Sequence, residues 1–64
     1  MQAQLLRAEM VKRKITQGKL AKEVGMSQNS MSRKLNGKRH FTVEEATKIS
    51  LYLQLENPSE IFLT

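Results

Sequence analysis

Apolar side chains recur along this chain at the three- and four-residue steps of a helix, and no segment alternates like a strand. Ala3, Leu6 and Met10 make one stripe, flanked by Leu5 and Val11, and predict a first helix over residues 2–13. Leu20, Ala21 and Val24 make a second, shorter stripe over 17–24. Met31 and Leu35, with the aliphatic stem of Lys34, give the inner face of a third helix over 28–36. Val43, Ala46, Ile49 and Leu53 predict the apolar face of a fourth helix. Ile61, Phe62 and Leu63 predict a short closing one. Leu51 and Tyr52 point away from the apolar face of the fourth helix, and Leu63 extends past the core pattern, so these three are either a dimer patch or ordinary exposed apolar residues.

The punctuation between these stripes agrees with them. Thr16 and Ser27 each stand where a hydroxyl accepts from an orphan N–H in a first helical turn. Gly25 supplies the left-handed backbone that ends the second helix, and Asn36-Gly37 ends the third. Thr42 and Glu45 have capping-box spacing, and Asn57-Pro58-Ser59-Glu60 puts proline at the favoured first helical position. Lys12-Arg13-Lys14 places positive charge where the dipole of the first helix favours it. No linker, repeat or low-complexity tract interrupts the series. The expectation is one compact all-α unit of five helices over residues 1–64.

Composition narrows what such a unit can do. The 64 residues include no cysteine and one histidine, His40, so neither a disulfide nor a Cys/His zinc site is expected. The apolar residues, 39 % of the chain, must hold the fold by packing alone. There is no aspartate, no Ser/His/acid trio and no glycine-rich phosphate cradle, so an enzyme is not expected and no cofactor is implied. No apolar run is long enough to span a membrane and no secretory signal is apparent, which makes the cytoplasm the expected location. Charge is divided unevenly. Residues 1–40 carry ten Lys/Arg against two Glu, and residues 41–64 carry one Lys against four Glu. The +8 and −3 that result make up the net +5, a distribution suited to one surface facing a polyanion.

The third helix supplies the chemistry. At about 100° per residue, Asn29, Ser32 and Arg33 share the face opposite Met31 and Leu35, and Gln28 sits at the boundary in the first turn. Glutamine and asparagine can bond adenine through two hydrogen bonds, and arginine can do the same with guanine. Two short helices hinged at Gly25, the second carrying this polar row, form a helix-turn-helix pattern. Gln28, Asn29, Ser32 and Arg33 are therefore the expected base-reading residues. Gln17, in the first turn of the second helix, and Asn36, Lys38 and Arg39, beyond the third, are the expected phosphate contacts. Lys19 and Lys22 are weaker candidates for the same role. His40 is expected in an exposed loop, with Phe41 anchoring that loop to the core.

Thr-Gln-x-x-Leu-Ala at 16–21, Val-Gly at 24–25, Ser-Gln-x-Ser-x-Ser-Arg at 27–33 and Asn-Gly-Lys-Arg at 36–39 resemble the lambda-repressor-like, Cro/C1-type (XRE) helix-turn-helix family. The resemblance covers about residues 5–63. Ser32 to Lys38, Phe41-Thr42 and Asn57 to Phe62 are similar to small phage-type regulators of Gram-positive bacteria. It implies a five-helix domain that binds double-stranded operator DNA, commonly as a homodimer, to control transcription, as a repressor does. Two positions depart from the family. Members often pair an arginine of the first helix with a glutamate near the end of the third, and the matching positions here are the apolar Met10 and Leu35. Exchanging a buried ion pair for packed hydrophobes is often neutral or stabilising. Lys34 stands where the family usually buries an apolar residue. A different class of function, a protein-interaction module in which this chain is an antitoxin-like or antirepressor-like partner using the same fold to bind another protein, would be favoured by loss of the outward polar row. That row is present. A membrane-surface peptide is disfavoured because the basic half is hinged and capped instead of forming one long amphipathic helix.

Overall fold

A computed structural model describes residues 1–63; Thr64, the last residue of the expected unit, lies outside the described residues. Five helices follow in order: α1 (Ala3–Lys12), α2 (Gln17–Val24), α3 (Gln28–Leu35), α4 (Val43–Leu53) and α5 (Pro58–Phe62), with no strand among the described residues. α2 packs on both α3 and α4, and α5 closes the structure against α1 and α4. A backbone hydrogen bond of 2.7 Å from the Gln2 N–H to the Ile61 carbonyl ties the start of the chain to α5. The Cα radius of gyration is 10.3 Å, close to the roughly 10.7 Å of a compact chain of this length, so the helices pack as one body.

The helix starts follow the side chains that cap them. Thr16 Oγ1 accepts from the Lys19 N–H at 3.2 Å, and Ser27 Oγ from the Ser30 N–H at 3.1 Å. At α4 the capping box is complete, with Thr42 Oγ1 accepting from the Glu45 N–H at 3.0 Å and Glu45 Oε1 from the Thr42 N–H at 2.9 Å. α5 opens on Pro58 as expected, and Asn57, at the cap position, makes no side-chain capping bond. The ends are equally regular. After α3, the Gly37 N–H donates to the Lys34 carbonyl and the Lys38 N–H to the Arg33 carbonyl, a Schellman closure with Gly37 at φ +77°. α2 ends the same way through Gly25 and Met26. α1 and α4 use the same closure without glycine, at Lys14 (φ +56°) and Gln54 (φ +55°).

The core is a single cluster drawn from all five helices: Leu6, Met10, Leu20, Ala21, Val24, Met31, Leu35, Ile49, Leu53 and Ile61. Met10 and Leu35 are both in it, so the two departures from the family pattern are absorbed as buried apolar volume. Phe41 and Phe62 pack edge to face on its margin, with ring centroids 5.8 Å apart, which anchors the basic loop while His40 stays exposed. Two expectations for α4 are corrected. Val43 is 85 % exposed, because the first position of the helix lies about 80° or more around from the Ile49–Leu53 side. Tyr52 does not point away: it lies about 60° from Ile49 and packs half-buried against the core. Leu51 and Leu63 are exposed as expected.

Candidate nucleic-acid interface

The buried pair Met31 and Leu35 turns the opposite side of α3 outward, which leaves Gln28, Asn29 and Arg33 exposed and Ser32 half-buried at the shoulder of the row. The Gln28 side chain also lies close to α2. A Cβ on Gly18 would lie 3.6 Å from the Gln28 amide carbon and oxygen and 3.7 Å from its nitrogen, so this side chain lies across the first turn of α2. That spacing is ordinary van der Waals contact. Gly18→Ala should therefore fit, leave Gln28 in place and raise stability by about 0.5–1 kcal/mol through better helix propensity. A thermal melt checks this; a lowered melting temperature would mean that the space over Gly18 is already filled.

Gln17 stands half-buried at the first position of α2, directly after the Thr16 cap. The first turns of α2 and α3 contain no acidic side chain, whereas α4 has Glu44 and Glu45 in its own. Neither the α2 nor the α3 dipole is therefore offset by a carboxylate in its own first turn. Beyond α3, Asn36, Lys38 and Arg39 are all exposed, and Lys22, Arg33, Lys38 and Arg39 form no ion pair among the described residues. Lys19 differs. Its ammonium is 3.0 Å from Glu23 Oε1, and the hydrogen bond and charge of that carboxylate raise its pKa above the ordinary lysine value.

Three side chains have partners that the sequence pattern does not mark. Lys34 is not merely a stem on the inner face: its Nζ bonds Glu45 Oε1 at 2.6 Å, with the two side chains only 12 % and 21 % exposed. The same carboxylate completes the α4 capping box, so one glutamate fixes the start of α4 to the last turn of α3. Burial pushes the Glu45 carboxyl upward, but the Lys34 hydrogen bond, the Thr42 N–H and the Lys34 charge outweigh it and hold the pKa below the ordinary glutamate value. Glu44 has no part in capping and pairs with Lys48 at 3.3 Å. The third is Arg7, on the exposed side of α1, whose Nη2 donates to Asn36 Oδ1 at 2.7 Å. Met10, where the family carries its arginine, lies three residues further along α1, so α1 and the end of α3 are still joined by an arginine, but at the surface.

Two capped helices joined through a left-handed glycine, with the second turned outward along a polar row, define the helix-turn-helix class. A family model described as helix-turn-helix matches residues 6–61, and the chain belongs to that DNA-binding family, of the Cro/C1 type. Comparison with curated proteins and with solved structures returned no match.

Proposed function

We propose that this protein is a sequence-specific transcriptional regulator of the repressor or Cro kind, which lays α3 in the major groove of double-stranded DNA. The observation that carries the reading is the outward row of Gln28, Asn29 and Arg33 beside two helix N-termini free of carboxylates. Gln28, Asn29, Ser32 and Arg33 read base edges, and Gln17, Asn36, Lys38 and Arg39 hold the phosphates on either side.

The protein acts as a weak homodimer. An open apolar groove runs between α4 and α5, lined by Val43, Ala46, Leu51, Pro58, Phe62 and Leu63, and none of the proposed DNA-contacting residues lines it. Val43, Leu51 and Leu63 are 85 %, 74 % and 81 % exposed there, a surface that a second copy would cover about a two-fold axis. The half-sites of the operator then lie about 34 Å apart, one turn of DNA.

Selection of binding sites from random DNA, followed by titration on the selected and on scrambled sequences, tests the reading. Binding should weaken with salt at a log–log slope of roughly −0.9 per phosphate contacted. Arg33→Ala should cost about 1–3 kcal/mol on the selected site and relax preference at one base position. Lys38→Ala should weaken all sequences alike and reduce the slope by about one. Salt-insensitive binding, or none at low salt, would reject DNA as the partner. An equal loss on both DNAs for Arg33→Ala would make it a phosphate contact.

A further inference from the structure

We infer that Arg7 of α1 belongs to the DNA interface, as a phosphate contact that also positions Asn36; this rests on the proposed function above. The turn after α3 cannot grip a phosphate with its backbone, because the N–H groups of Asn36, Gly37 and Lys38 are all spent on the carbonyls of Ser32, Lys34 and Arg33. Side chains must do the holding at this end of the helix. Asn36 has one amide with two different ends, an acceptor oxygen and a donor nitrogen. Arg7 occupies the oxygen at 2.7 Å, which commits that end to the protein and leaves the NH₂ end as the one available to an outside acceptor. A phosphate offers only acceptors to such a group, so the orientation that Arg7 imposes is the useful one.

Arg7 keeps donors of its own. A guanidinium has five N–H groups, one of them is engaged by Asn36, and Arg7 pairs with no carboxylate among the described residues. It is exposed, and its contact with the residue that caps α3 brings a fixed positive charge from α1 to that end of the helix, where Lys38 and Arg39 follow in the chain. A residue that served only to tie α1 to α3 would have no reason to leave its charge unpaired on the basic half of the molecule.

The test uses the full chain, its selected operator and scrambled DNA at several salt concentrations. Arg7→Ala should weaken both DNAs by the same factor, about tenfold, and lower the salt slope by about one, with base preference unchanged. Arg7→Lys should restore the slope. Asn36→Ala should weaken binding less in the Arg7→Ala background than in the parent, because an amide without Arg7 is no longer oriented. Asn36→Asp should keep the bond to Arg7 and the parent melting temperature while abolishing binding, since it replaces the donor with a negative charge. If Arg7→Ala lowers the melting temperature but leaves affinity and slope at the parent values, the contact only ties helices and the inference fails. A change of preference at one base would overturn it as well. Failure of the parent protein to bind any DNA is a separate result, and it would remove the proposed function itself.

Discussion

Leu35→Glu should unfold this protein, and Leu35→Ala should remove a large share of its stability. Leu35 is 1 % exposed in the cluster that all five helices share. Truncating a leucine in such a place costs about 2–5 kcal/mol through lost transfer energy and the cavity left behind. A chain of this size has roughly 3–10 kcal/mol in total, so even the alanine variant comes near the limit. Glutamate is worse because an ionised carboxylate in this core has no cation to meet: Met10, where the family carries arginine, is itself buried and apolar. The geometry makes a second, sharper test. Met10→Arg introduced with Leu35→Glu recreates the family's pair and should recover part of the loss if the two side chains are neighbours. Circular dichroism of Leu35→Glu alone, and urea denaturation of the parent, Met10→Arg and the double variant, show whether the second change restores folding. A parent-like spectrum for Leu35→Glu would show that this position is not packed as described.

The parts of the fold legible in the sequence are those governed by residues close together in it. A cap lies three residues from the N–H that it accepts, and a stripe repeats within one or two turns; thus Thr16, Ser27, Thr42 and Gly25 mark their boundaries correctly. The first and third helices end a residue sooner than their patterns, because the final residue of each enters a Schellman closure. The closures at Lys14 and Gln54 leave no trace in the sequence, since the usual marker of a left-handed position is glycine. Val43 and Tyr52 depart from the pattern for a different reason. Helical angle alone says which side a residue takes, while the neighbours of α4 decide how wide its buried sector is.

The candidate site divides in the same way. That Gln28, Asn29 and Arg33 are exposed follows from the burial of Met31 and Leu35 on one short helix, which the spacing makes plain. The bonds that hold α3 in place do not follow from spacing. Lys34 reaches Glu45 across 11 residues, and Arg7 reaches Asn36 across 29. Each needs the tertiary arrangement before the partners can be named. The spacing marks Asn36 as a phosphate contact but does not show that the oxygen end of its amide is engaged by Arg7.

Glu45→Ala should be the most damaging single change outside the apolar core, at about 2–4 kcal/mol. It removes the Glu45 half of the α4 capping box, a hydrogen bond worth about 0.5–1.5 kcal/mol, and it strands the Lys34 ammonium, 12 % exposed, with no anion. Glu45→Gln should cost less, because the amide oxygen can still accept from the Thr42 N–H while the charge on the partner of Lys34 is lost. Lys34→Met should cost stability at neutral pH, but less than Glu45→Ala, since it removes the cation of the pair while leaving the more exposed Glu45 its capping bond to the Thr42 N–H. Acid provides an independent check. The folded-state pKa of Glu45 lies below its unfolded value, so the stability it contributes is present in full above the ordinary glutamate pKa and is lost as pH falls through the lower folded value. The parent should accordingly lose stability on acidification below about pH 4.5, and Lys34→Met should show a shallower loss, because the largest influence lowering that pKa has been removed. Denaturation midpoints measured from pH 7 to pH 3 on both proteins distinguish the outcomes. Parallel pH curves would mean that Lys34 and Glu45 do not interact in solution, and α3 would then be held against α4 by its apolar face alone.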